Sequence, residues 1–318
     1  MQLNHHQRYL VEEFAEEYLE RRMSRRDMMR RVLAVTGSVT GAAAVLVTLG
    51  CGSSDDGASL ASTSTAAPAQ PTAAATSASE ASGVQHVAAD DPAITASDVR
   101  YPGPTEMRGY LARPKAEGKY AGLIIIHENR GLLEHFKDVS RRYAKEGFVA
   151  LAVDLASRKG GSTDDAVSNM SKLTTDPIEM QADLKAGVEY LKAQAFVRPG
   201  SLGVTGFCFG GGATWELAVA SPDVKAAVPY YGSCRPKDQL AQTNAAVLAI
   251  YGGNDTRITG ESADVEQRLR AANKTVQIKV YPGANHAFFN DTGSAYNAEA
   301  AADAWRLTLD WFRRYLTA

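Results

Sequence analysis

The chain has 318 residues, 34 Lys and Arg against 36 Asp and Glu, a formal net charge of −2 and 45% hydrophobic residues. That leaves room for one sizeable core, and the near-neutral balance without a basic block in the folded region argues against a nucleic-acid partner. No phosphate loop, dinucleotide fingerprint, zincin spacing or internal repeat is visible, so no cofactor and no metal are expected.

In chain order, the first hundred residues come first and differ in kind from the rest. Residues 8–22 are charged and amphipathic, with Leu10, Phe14 and Tyr18 on one face, and nothing in the pattern accounts for so long an extension. Ser24-Arg25-Arg26-Asp27-Met28-Met29-Arg30 is similar to a twin-arginine export signal, with Met28-Met29 in place of the more usual Phe-Leu. The run from Val32 to Leu49 holds 18 uncharged residues diluted by Gly and Thr, short for a spanning helix and suited to a signal-peptide core. Thr48-Leu49-Gly50-Cys51 is similar to a bacterial lipobox, which makes Cys51 a lipidation candidate; the alternative is an uncleaved single-span anchor. Ser, Ala, Thr and Pro then dominate a tract with too few large apolar side chains to fold. The expected organisation is an export leader over 1–51, a disordered tether over 52–97 and a folded domain over 98–318. That domain would then sit outside the cytoplasm, held at the outer face of the membrane by its leader or a lipid.

From there strand and helix patterns alternate. Strands are expected at 122–127, 148–154, 201–206, 224–231, 245–251 and 276–281, and helices at 134–146, 176–194, 211–220, 261–272 and 299–316. Such alternation predicts an α/β class, a mostly parallel doubly wound sheet flanked by helices. Continuous apolar strands such as Leu123–Ile126 suit a sheet buried on both faces. Functional loops should gather at the strand C-terminal edge.

Gly206-Phe207-Cys208-Phe209-Gly210 reads as a nucleophile elbow of the form G-x-C-x-G, between the strand 201–206 and a helix opening at Gly211. A residue in such a strand-to-helix turn is strained, and the flanking glycines let backbones pass. Helix N-terminal amides behind it favour a thiolate or an oxyanion. An acid and a histidine should follow in that order. Asp255 leaves the strand 245–251 in Gly252-Gly253-Asn254-Asp255, and His286 follows the strand 276–281 in Pro282-Gly283-Ala284-Asn285-His286, the only histidine downstream of the elbow. Taken together they read as a Cys208–His286–Asp255 triad. A free thiol titrates near ~8.5, so His286 is needed to take its proton and Asp255 to hold the imidazole tautomer. Thiolate leaves a tetrahedral intermediate more readily than an amine does, which favours ester or lactone substrates over peptides.

The elbow GFCFGG, the turn GGND, the segment PGANHAFFND and the upstream HENRGL together resemble the dienelactone hydrolase family of α/β-hydrolases, from Val99 to the C-terminus. The resemblance implies the α/β-hydrolase fold and hydrolysis through a thioester acyl-enzyme. It implies that Glu128 contacts Cys208 and helps to form the thiolate, and that the backbone amides of Phe209 and Asn129 form the oxyanion hole. His127 would be a strand-end residue shaping the site and His135 a helix-surface residue. Phe288, Phe289 and Tyr231, beside Tyr230, are candidates to line the substrate pocket, the alternative being core packing.

Family members acting on small carboxylated lactones hold the substrate carboxylate with an arginine four residues after the histidine, and here that position is Asn290. A second arginine is missing too, since residues 166–197 carry only lysines as cations; Lys172, Arg158 or Arg257 could stand in, without a lysine reproducing an arginine fork. The small-molecule substrate is therefore expected to be an ester or lactone other than dienelactone, with the oligomeric state open. Cys234, after the strand 224–231, is a candidate redox partner of Cys208 or an unreactive loop cysteine. Two other readings stay open: a redox-sensing thiol protein using Cys208 and Cys234, and a non-catalytic binding lipoprotein on a hydrolase scaffold.

Overall fold

A computed structural model describes residues 3–19, 23–37 and 85–316. Among the described residues eight strands form one sheet: β1 (Ile94–Tyr101), β2 (Met107–Pro114), β3 (Tyr120–Ile126), β4 (Val149–Val153), β5 (Val197–Phe207), β6 (Val224–Tyr230), β7 (Ala246–Gly252) and β8 (Val276–Tyr281). Their order is β1-β2-β4-β3-β5-β6-β7-β8. β2 is antiparallel to β1 and to β4, and every pairing from β4 through β8 is parallel. Among the described residues the helices are α1 (His5–Leu19), α2 (Arg25–Thr36), α3 (Glu134–Lys145), α4 (Ala166–Lys172), α5 (Pro177–Lys192), α6 (Phe209–Ala220), α7 (Thr256–Thr259), α8 (Ser262–Ala271) and α9 (Ala298–Leu316).

The parallel part matches the doubly wound expectation. Side chains alternate across a strand, so neighbours in β3 face opposite layers. Ile124 lies toward Gly187 of α5, and Leu123 toward Gly203, where Phe312 and Leu316 of α9 close in. On the α9 face, Tyr143 of α3 meets Trp305 at 4.4 Å between ring centroids and Phe312 at 6.1 Å. The crossover helix α5 starts where capping chemistry predicts: Asp176 accepts from the amides of Ile178 and Glu179 with Pro177 as the first helical residue.

The start of the sheet differs from the sequence expectation. β1 and β2 precede the first strand foreseen, and β1 begins at Ile94, inside the stretch assigned to the tether, with Val87 already buried. β1 is an edge strand, Ile94-Thr-Ala-Ser-Asp-Val-Arg-Tyr101, buried only at its two ends. A polar edge strand gives almost no hydrophobic signal, which is how edges avoid pairing with other chains.

The twin-arginine segment lies in α2. Ser24 caps that helix by accepting from the Asp27 amide at 3.1 Å, and Gly37 ends it at φ 66°. α2 packs against α1 and α4, so both N-terminal helices lie on the folded body. Residues 38–84, with Cys51, most of the apolar run and most of the tether, fall outside the described residues. Among those described, no helix is long and apolar enough to cross a membrane.

Candidate active site

Cys208 sits at φ 57°, ψ −117°, a left-handed backbone that a non-glycine residue adopts only when its surroundings enforce it. Two close approaches enforce it here. A Cβ on Gly206 would stand 2.3 Å from the Gly210 carbonyl oxygen, and a Cβ on Gly210 would stand 2.4 Å from that of Ile126. The Cys208 amide donates to the Tyr230 carbonyl at 3.1 Å, tying the elbow to β6. Phe209 then opens α6, whose first amides have no intrahelical acceptor.

The structure brings Cys208, His286 and Asp255 together. His286 Nδ1 lies 2.6 Å from Asp255 Oδ2, both residues buried on loops that follow β8 and β7. Burial alone would lower the His286 pKa, but the neighbouring carboxylates of Glu13 and Asp255 outweigh it and hold the imidazole protonated well above its usual range. The thiol moves the other way: burial and then the Glu13 charge push Cys208 up to about 12. In this state the centre is a neutral thiol beside an imidazolium.

The acid at the thiol is not the one expected. The Cys208 thiol donates to Glu13 Oε1 at 3.0 Å, and Glu13 comes from α1, far upstream. Glu128 is buried nearby with its carboxylate accepting from the Tyr231 hydroxyl at 3.4 Å and the Asn290 amide at 2.9 Å. The docked helix thus supplies the carboxylate contact that the family resemblance assigned to Glu128. Glu13 Oε1 also lies 3.4 Å from His286 Nε2 and accepts from the Asn129 side-chain amide at 3.4 Å, while Oε2 lies 4.0 Å from Arg257. Burial disfavours the Glu13 charge, yet His286 and Arg257 keep it ionised, well below the usual carboxylate range. One turn earlier the Tyr9 hydroxyl points at the sulfur, 3.7 Å from Sγ.

The other candidates sort as follows. Asn129 is buried beside the site, and Asn290 reaches it through Glu128. Tyr231 lies edge-on to His286 at 5.1 Å. Phe288 and Phe289 are fully buried packing rather than pocket lining: Phe289 stacks on Phe207 at 5.2 Å, and Phe288 packs on Tyr231 and Tyr281. Of the three substitute cations, Arg257 reaches the site. Arg158 pairs with Asp183, and Lys172 donates to the Gly161 carbonyl. His127 is buried, its Nε2 accepting from the Leu155 amide at 3.1 Å. His135 is not on the helix surface; it is buried against Asp291 at 3.0 Å because α3 faces the loop after β8. Cys208 and Cys234 are both free thiols, and Cys234 is buried with its amide on Glu261, its own thiol pushed up by that burial.

Glu13 and Tyr9 were not foreseen as site residues. Their signal was present: they stand one turn apart on the helix, flanking the apolar Leu10 and Phe14 on the amphipathic face of residues 8–22.

Residues 107–316 match the model of the dienelactone hydrolase family. A Methylorubrum extorquens protein provisionally named a carboxymethylenebutenolidase is 35% identical over 247 residues, covering 72% of this chain and 84% of that protein. One from Salmonella typhimurium with the same provisional name is 37% identical over 243 residues, covering 71% and 89%. A solved structure from Klebsiella pneumoniae, provisionally titled a dienelactone hydrolase, superposes with a TM-score of 0.65 at 36% identity over 70% of this chain and all of that one. An acylaminoacyl peptidase from Pyrococcus horikoshii, at 17% identity and a TM-score of 0.58 over 70% of this chain and 42% of that one, shares the fold alone. The architecture is the α/β-hydrolase fold.

Proposed function

Since the chain belongs to the dienelactone hydrolase family and is a hydrolase of ester or lactone bonds, we propose that it works through a Cys208–His286–Asp255 triad with a thioester intermediate. The observation that carries this reading is the His286–Asp255 hydrogen bond of 2.6 Å beside a cysteine held at φ 57° on the elbow. His286 takes the thiol proton and Sγ attacks the carbonyl carbon. The oxyanion faces the Phe209 and Asn129 amides, each worth on the order of 3 kcal/mol in such a role. The carbon–oxygen bond then breaks, and the leaving oxygen receives the proton from His286. Water, deprotonated by the same imidazole, hydrolyses the thioester and restores the thiol. Asp255 holds the tautomer, and Glu128, fixed by Tyr231 and Asn290, helps to draw off the thiol proton when substrate arrives.

The substrate is an ester or lactone whose recognition does not need an arginine at position 290, where this chain has Asn290. A panel of aryl esters and lactones tests the reading. Cys208→Ala should lose turnover across the panel, and equal turnover by the two proteins would overturn the mechanism.

The enzyme is exported and held at the outer face of the cytoplasmic membrane, through a lipid on Cys51 or an uncleaved leader. The twin arginines, the apolar run and the small residues before Cys51 support this. Fractionation of cells producing the full chain should find it outside the cytoplasm, lost from the membrane in Cys51→Ala if the lipid is the anchor; an undiminished cytoplasmic pool of the uncleaved chain would count against export.

A further inference from the structure

α1 does more at this site than cover it. Leu10, Val11 and Phe14 are buried against the body, and that apolar face seats the helix. Tyr9 and Glu13, one turn apart, are thereby aimed at Cys208 Sγ, 3.7 Å and 3.0 Å away. Both ends of the helix are tied down. Near its start, His6 is buried against Glu216 of α6 at 3.2 Å and edge-on to Phe209 at 5.7 Å; near its end, Glu17 pairs with Arg31 of α2 at 3.0 Å. Arg235 and Arg257 flank the Tyr9 ring at 5.6 Å and 5.1 Å.

The Glu13 side of this contact opposes turnover. Glu13 Oε1 lies 3.0 Å from Sγ and 3.4 Å from His286 Nε2, so the carboxylate takes up space beside both reacting atoms. It accepts the thiol proton that His286 has to take and adds a negative charge where a thiolate has to form. It also draws the Asn129 side-chain amide and the Arg257 guanidinium, polar groups available to a substrate at this edge. Cys208 is left 2% exposed and His286 6%, too little for a bulky ester to reach either.

We propose that α1, held in place by α2, is an intramolecular plug in which Tyr9 and Glu13 close the hydrolytic centre until the helical pair is displaced or removed. The proposal deepens the hydrolase reading and rests on Cys208 as the reactive thiol. It also gives a role to the segment ahead of the twin arginines: the same N-terminal stretch that would direct export keeps the enzyme latent while attached. The cleft that α1 vacates is then the substrate's entry, with Arg257 at its rim.

The test uses the full chain and reads Cys208 by peptide mass spectrometry after timed alkylation with iodoacetamide, with Cys234 as the internal control. Leu10→Asp/Phe14→Asp removes the seat of α1, and Glu13→Lys sets a cation against the His286 imidazolium and Arg257. Neither variant alters the sheet, and far-UV circular dichroism melts verify that the body stays folded. Release of a plug that leaves the open state at a few per cent or less speeds alkylation of Cys208 about tenfold or more, with Cys234 unchanged and aryl-ester kcat/KM rising in parallel. Wild-type alkylation rates in both folded variants would overturn the plug. Faster alkylation without ester turnover would support the plug and sink the hydrolase mechanism, so the two claims fail separately.

Discussion

The sheet and the N-terminal helical pair both press on Cys208, and they do so by different physics. The body holds the cysteine through backbone: an elbow at φ 57°, glycines where a Cβ would meet a carbonyl oxygen at 2.3–2.4 Å, and an amide tied to β6. None of this can relax without disturbing the strands, because close-packed interiors transmit strain. The helical pair reaches the same atom through side chains: an apolar face and the His6–Glu216 contact seat it, and the Glu13 carboxylate and Tyr9 hydroxyl meet the sulfur. Such a contact is reversible as a unit. The proposed catalytic geometry is built into the fold, and the proposed plug would control access to it from a separable element.

Substitutions sharpen that contrast. In the body they should abolish chemistry. Once the plug is released, Cys208→Ala should lower kcat/KM by about 10⁴-fold or more, because a triad acts as a unit and fails with its nucleophile. Asp255→Asn in the same background should cost on the order of 10⁴-fold in kcat with little change in KM, since the imidazole loses its tautomer partner. A KM effect of similar size would mean that Asp255 shapes binding instead. In the helical pair substitutions should release activity, as the tenfold gain for Leu10→Asp/Phe14→Asp requires.

The smallest effect is a pH dependence of docking through His6. Burial lowers its pKa to about 4, against the partial support of Glu216, with His5 and Arg235 adding repulsion. A residue with a depressed folded pKa favours charge when freed, so docking is fully stabilised above about 6.5 and weakens as pH falls toward 4. Two turns further along the helix, Glu13 stays ionised and His286 protonated across that window. Between pH 7 and pH 5, proteolysis of α1 should speed up several-fold in wild type and stay flat in His6→Gln. A flat wild-type profile would remove His6 from the account.

What could be read in the sequence follows the same division. The elbow, Asp255 and His286 were legible because strain and close approach demand glycine at particular spacings and because loops after strands carry the chemistry. β1 was not, since an edge strand of Thr, Ala, Ser, Asp and Arg carries little apolar periodicity. The amphipathy of residues 8–22 was visible, but a hydrophobic face states only that something is covered, not what. Glu13 could not be assigned to a thiol 195 positions away by any local pattern. Phe288 and Phe289 show the reverse problem: an aromatic pair just after His286 suits a pocket and a core equally, and only their packing on Phe207, Tyr231 and Tyr281 decides for the core.

The most direct test of the central claim is the covalent intermediate. Full-length Leu10→Asp/Phe14→Asp protein, mixed with a slowly deacylated aryl ester and quenched in acid, should carry the acyl mass on the peptide containing Cys208, as a thioester labile to neutral hydroxylamine. Turnover of the ester with no adduct on Cys208, or with the adduct on another residue, would contradict the account.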